Sequence, residues 1–160
     1  MVEPILSDSY DKVAEWLQWL QVVYYDPDRT RMMTDFLMSK GLHKEGSILD
    51  CACGVGQDAI DMARMGFKVS CSDGSREMIR RARENAKDRE PQIDFHQSDW
   101  RRLEVTFSGR RFDCVLNIGV NIYHLEKAEI GKAIRSMKEC LNPGGILVLD
   151  NKRWQEVLAQ

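Results

Sequence analysis

Residues 48–60 read ILDCACGVGQDAI: an apolar run closed by an acid, then Gly54 and Gly56 spaced as G-x-G, then a helix-like run. The pattern predicts a first strand over 47–52, a glycine turn, and a helix over 57–65 stopped by Gly66. Glycines let the backbone pass close to a ligand, and the N-terminus of the following helix offers free N–H groups. Three readings of the turn are open. It can be a tight strand-to-helix connection and nothing more. It can be a dinucleotide site, because G-V-G-Q-D-A fits G-x-G-x-x-A and Asp73 stands near the distance expected of a ribose-binding acid. Or it can receive a ligand with a positive ammonium or sulfonium group. Asp50, followed by Cys51-Ala52-Cys53, favours the third. A dinucleotide fingerprint turns from apolar strand directly into glycine, and an acid is a poor neighbour for a pyrophosphate. The phosphate-loop pattern G-x-x-x-x-G-K-[ST] is absent from the sequence.

Working outward, FKVSCS at 67–72 reads as a second strand, IDFHQS at 93–98 as a third, FDCVLNI at 112–118 as a fourth and GILVLD at 145–150 as a fifth. Between them lie a charged helix over 76–90 with a narrow apolar face, and a helix over 127–141 that repeats Ile130, Ile134, Met137 and Leu141 and is ended by NPGG. Before the first strand, Val13, Trp16, Leu17, Leu20 and Tyr24 mark an amphipathic helix over 11–24. Pro27 interrupts it, and a second helix is expected over 29–40. Strands alternating with helices through short turns predict an α/β fold: a doubly wound, mostly parallel sheet with helices on both faces.

The 160 residues carry 23 Lys and Arg against 25 Asp and Glu, too even a balance for the basic surface that nucleic acid or an anionic membrane would favour. A small-molecule ligand is expected instead. No apolar run approaches the length of a membrane span and the first residues do not form a signal peptide, so a cytoplasmic protein is expected. The cysteines at 51, 53, 71, 114 and 140 are odd in number and fall mostly in strand-like segments, where the thiol serves as a small hydrophobe. Neither disulfides nor a metal site is expected.

ILDCACGVGQDAI, S-D-G at 72–74, S-D-W at 98–100 and L-N-P-G-G before the fifth strand together resemble class I S-adenosylmethionine-dependent methyltransferases. More narrowly, 10–154 is similar to the glycine and sarcosine N-methyltransferases, through D-x-x-A-E near the start, D-R-T-R at 28–31, L-D-x-A-C-G-x-G-x-D, the G-F-x-V-x-x-x-D run at 66–73, and H-L at 124–125. The resemblance implies a Rossmann-like core over 46–160, truncated after its fifth strand, beneath an N-terminal helical cap over 1–45. Members of the family continue with a substrate-covering insertion and usually two more strands.

Carried over residue by residue, the resemblance places Ala52, Gly54 and Gly56 under the methionine moiety of S-adenosylmethionine, Asp73 on the ribose hydroxyls, Asp99 at the adenine amino group and Trp100 beside the base. Arg31 matches an arginine on the cofactor carboxylate, a role that suits a guanidinium's bidentate geometry. Ile118 and His124 match positions along the cofactor's other side, and Tyr24 one near the transferring methyl, so that Tyr24 and His124 are the catalytic candidates. Asn121, Lys152 and Arg153 are the substrate-side candidates; Lys152 stands where the family has a carboxylate-binding arginine. By spacing alone, Asp73 is also an ordinary turn aspartate, Arg31 a surface arginine, Tyr24 a core aromatic and His124 a structural histidine.

The reaction so implied is N-methyl transfer to a small amine, glycine or sarcosine first, leaving S-adenosylhomocysteine. An in-line displacement of this kind forms no covalent enzyme intermediate and relies on positioning. The alternatives are a cofactor-binding fragment or regulatory module without turnover, and a methyltransferase of another small molecule. A nucleic-acid methyltransferase is disfavoured by N-I-G-V-N after the fourth strand, where N-P-P-Y or D-P-P-Y would clamp a flipped base.

Overall fold

From Ser47 onward each of the first four strands is followed by a helix on one face or the other, and a strand feeding a crossover helix returns as a parallel neighbour. The structure, a computed structural model, describes residues 5–23, 26–87, 92–119 and 121–150. Strands β1 (Ser47–Asp50), β2 (Lys68–Asp73), β3 (Asp94–Gln97), β4 (Phe112–Asn117) and β5 (Leu141–Leu149) form one sheet in the order β3-β2-β1-β4-β5. All four pairings are parallel. The expected doubly wound α/β architecture is therefore the observed one.

Helices α3 (Gln57–Arg64) and α4 (Arg76–Ala86) cover one face of the sheet; α5 (Leu103–Thr106) and α6 (Lys127–Glu139) cover the other. Adjacent strand residues serve opposite faces. Ile48, Cys114 and Leu116 join Ala59, Met62 and Ile79, whereas Leu49, Cys51 and Val115 join Leu103, Phe107 and Met137. Burial on both sides explains why the strands read as continuous apolar runs. Two further helices precede the sheet: α1 (Ile5–Val23) and α2 (Pro27–Ser39). The first lies on α4 through Tyr10, Ala14 and Leu17, which meet Val55 and Met78, and the second adds Leu37 to the core beside α3.

Several boundaries differ from the sequence expectation, each for a local reason. Pro27 begins α2: Asp26 caps it by accepting from the Asp28 N–H at 3.0 Å, and a proline fits the first helical position, where no partner awaits its missing N–H. The segment after β3 is helical, with Asp99 capping a 3-10 turn at Trp100–Arg102 that runs into α5. NPGG is not the stop of α6, whose C-cap is Cys140; it lies inside β5, where pairing jumps from Phe112 with Leu141 to Cys114 with Ile146. The extra residues bulge out of the ladder through Gly144 at φ +79° and are tied down by Asn142, which donates to Asp113 Oδ1 at 2.8 Å.

Candidate functional site

Strand β1 pairs with β2 on one side and β4 on the other, so the chain order reverses there and a crevice opens at the carboxyl ends of these strands. Gly54 (φ +53°) and Gly56 (φ +81°) form its floor. A Cβ on Gly56 would stand 3.1 Å from Ala82 Cβ and 3.3 Å from Phe95 Cε1, so only glycine lets the turn seat this close to α4 and β3.

Asp73 closes β2. Its Oδ2 accepts the Gly54 N–H at 2.9 Å and its Oδ1 the Ser75 N–H at 2.9 Å, which fixes the carboxylate across the glycine turn. Each oxygen keeps a second lone pair for a ligand hydroxyl. Burial pushes this carboxyl above its ordinary value, against those N–H groups. Asp50 closes β1 and is 7% exposed, with Oδ1 accepting from Ala52 N–H at 3.2 Å. Burial pushes its pKa up to about 7; the charges of Asp58 and Asp73 add to the rise, and Arg29 opposes it. The crevice thus holds two desolvated acids side by side, a setting that favours an incoming cation.

Across the turn, α2 presents Arg29 to Asp58 in the first turn of α3, and Thr30 Oγ1 donates to the same carboxylate at 2.5 Å. Arg31 points away: its side chain is 64% exposed and pairs with Asp28 at 2.8 Å. The arginine brought to the glycine turn is therefore Arg29. Helix spacing carries this signal, since Arg29 shares the inner row with Met33 and Leu37, whereas Arg31 shares its row with Asp35.

On the β3 side, Trp100 Nε1 donates to the Cys51 carbonyl at 2.6 Å, laying the indole against the end of β1. Asp99 caps the 3-10 turn, accepting the Arg101 N–H at 2.8 Å, and is gripped by the Arg101 guanidinium. Burial works against its charge, but Arg101 holds the carboxyl below its ordinary value. On the β4 side, half-buried Ile118 packs on the core. His124 ends a second 3-10 turn, and its Nε2 shares a hydrogen bond of 2.7 Å with the Tyr10 hydroxyl, the rings meeting edge to face. Burial, and after it the charge of Asp73, push the Tyr10 phenol up. Tyr10 consequently bridges from the Asp73 side of the crevice to the β4 side. It was missed because the expected helix began one residue too late to include it, although Tyr10, Ala14 and Leu17 follow helical spacing.

Asn117, at the end of β4 and 1% exposed, donates from Nδ2 to Cys51 Sγ at 3.5 Å, while its Oδ1 has no partner. Tyr24, Lys152 and Arg153 lie outside the described residues, as does the side chain of Asn121. Among the described residues no group of His, Cys, Asp or Glu is arranged to hold a metal, and no helix is long and apolar enough to cross a membrane.

The sequence matches the family described as Methyltransferase domain over residues 48–145, from β1 to the bulge in β5. The chain belongs to this family. It is 36% identical to a glycine/sarcosine N-methyltransferase of Parasynechococcus marenigrum over 95% of its length and 51% of the relative's. It is 32% identical to a glycine/sarcosine N-methyltransferase of Halorhodospira halochloris over 94% of its length and 53% of the relative's. A crystal structure of a Pyrococcus horikoshii OT3 protein superposes with a TM-score of 0.70 at 35% identity, covering 82% of this chain and 61% of that one. The chain spans about half the length of the curated relatives it matches. The resemblance to class I methyltransferases read from the glycine turn and the strand-end motifs agrees with this membership.

Proposed function

We propose that the protein binds S-adenosylmethionine in this crevice and transfers its methyl group to a small amine, with glycine or sarcosine the first candidates. The observation that carries the reading is the placement of buried Asp50 and half-buried Asp73 against the glycine turn with Arg29 on its far side. A ligand with a cationic ammonium, a carboxylate and a ribose diol complements that set. A dinucleotide pyrophosphate would meet Asp50 beside the turn that should cradle it, which speaks against a nicotinamide cofactor, whereas Asp73 suits the ribose of either ligand. The names of the relatives support the choice of amine.

In this reading Asp73 accepts from the ribose hydroxyls, Asp50 faces the ammonium, Arg29 holds the carboxylate, and Trp100 and Asp99 form the wall of the base pocket. When bound, the cofactor supplies a methyl group made electrophilic by its sulfonium. The chain's own task is positioning and exclusion of water. Preorganised placement of two reactants is worth up to about 7–11 kcal/mol of barrier, so no nucleophilic side chain is required. The amine must arrive neutral. The Tyr10–His124 bridge closes the crevice above Asp73 and gives the amine side a half-buried wall. Tyr24, Asn121, Lys152 and Arg153 keep their proposed substrate-side roles.

Calorimetric titration with S-adenosylmethionine and S-adenosylhomocysteine tests the site: binding is expected, with Asp73→Ala weakening it. Absence of binding, or affinity untouched by Asp73→Ala, defeats the reading. Mass spectrometry of a panel of small amines incubated with isotopically labelled S-adenosylmethionine then identifies the acceptor. Binding without methyl transfer to any of them would favour the non-catalytic module.

A further inference from the structure

Arg29 presents a problem of positioning. It lies in the first turn of α2, where the helix dipole disfavours a cation, and its side chain is 51% exposed. A long side chain so placed samples many rotamers, and that freedom must be removed before it can serve a ligand. We infer that Asp58 is a positioning residue that presets Arg29 for the carboxylate of the bound cofactor; this rests on the reading of the crevice as a cofactor site.

The geometry explains why Asp58 suits this role. It sits in the first turn of α3, directly after the glycine turn, where the helix dipole favours an acid. Its two oxygens are divided: Oδ1 takes the Thr30 hydroxyl at 2.5 Å and Oδ2 takes Arg29. Thr30 is fully buried, so Asp58 is clamped from one side and offers Arg29 a fixed anchor on the other. Nη2 of the guanidinium meets Asp58, and the remaining N–H donors, which have no partner among the described residues, can meet a carboxylate. Asp58 would repel that carboxylate if it met it alone, so its action runs through Arg29 and not by contact with the ligand. The same pair staples α2 to α3, which makes the approach of the N-terminal helices and the readiness of the site one event.

The test compares two probes on the full chain: S-adenosylhomocysteine, which carries the amino-acid tail, and 5′-methylthioadenosine, which lacks it. Asp58→Asn is expected to weaken S-adenosylhomocysteine roughly tenfold and to leave 5′-methylthioadenosine within about twofold. In an Arg29→Gln background, Asp58→Asn should add no further loss, because the residue through which it acts is gone. A structural role predicts equal weakening of both probes, and that result overturns the inference, as does an undiminished effect in the Arg29→Gln background. Should Asp58→Asn fail to fold, Thr30→Val loosens the same anchor and should weaken only the tailed probe, by about threefold; equal or absent effects on both probes overturn the inference in this variant too. A wild-type chain that bound neither probe would bring down the functional reading and this inference with it, whereas normal wild-type binding with an unselective Asp58→Asn defeats this inference alone.

Discussion

The two ends of the sheet treat their carboxylates in opposite ways. At the amino ends, Asp113 accepts the Ser47 N–H at 2.8 Å, the Ser47 hydroxyl at 2.9 Å and the Asn142 amide at 2.8 Å, and its carboxyl is held below the ordinary value, first by that backbone bond. Asp94 is likewise held low: burial opposes its charge, but His96 and Arg110 outweigh it. At the carboxyl ends, Asp50 and Asp73 are pushed up by burial. A hollow of about 780 Å³ opens at the amino end, between Lys68, Arg110 and Phe112, yet Arg110 there is already committed to Asp94 and Ser70 and stacked over Phe107 and Phe112. An open hollow does not by itself mark a ligand site. Satisfied charges make a joint, whereas desolvated, incompletely paired ones make a site.

The contrast can be broken most severely at Gly56. Gly56→Val puts a branched side chain at φ +81° against Ala82 and Phe95, and should cost about 4 kcal/mol or prevent folding, read by urea denaturation. Next comes Asp50. Its folded pKa of about 7 exceeds the unfolded value of 3.8, so the folded state holds the proton more tightly and wild-type stability falls as pH rises from about 4 to 7. Asp50→Asn should therefore be more stable than wild type at pH 8 by roughly 4 kcal/mol, with the difference vanishing below about pH 4. A flat difference across that range would place the proton elsewhere. Asp73→Asn should weaken S-adenosylhomocysteine by roughly tenfold in calorimetry, since an amide cannot accept from ribose and both backbone N–H groups at once. At the opposite end, Asp113→Asn should cost about 1 kcal/mol of stability while leaving that affinity unchanged; a binding defect there would erase the distinction between the ends. Smallest is Arg64→Gln, which breaks an exposed pair with Asp61 and should move stability by less than about 0.5 kcal/mol.

The strands, their parallel order and the glycine turn were legible because both faces are buried and hydrophobic runs record that directly. Less was legible wherever a residue's role depends on something far away in the chain. Asp26 and Pro27 fit both a helix break and a cap with its first helical residue, and the bond from the Asp28 N–H to Asp26 decides for the cap. The NPGG bulge depends on Asp113, 29 residues from Asn142, and periodicity within the segment cannot report it. Arg29 and Arg31 both fall in the expected helix over 29–40 and differ in the helical row they occupy; Arg31 is named through the resemblance, and which row faces α3 depends on where Asp58 stands in the fold. Tyr10 acquires its partner His124 only when α1 folds back over the sheet, 114 residues away in sequence.

The position of β1 has a consequence for how the protein comes into being. It is the first strand in the chain but the third in the sheet, and its second neighbour, β4, follows 66 residues later, a separation marked by the Ser47–Asp113 bond. Such long-range parallel pairing is slow, because the loop must close before the contacts repay it. On a ribosome adding about 5–20 residues each second, the glycine turn leaves the tunnel several seconds before the strand that completes its crevice. During that interval Ile48, Leu49 and Asp50 have one open edge. The most readable stretch of the sequence is therefore also one that nascent-chain chaperones would have several seconds to hold.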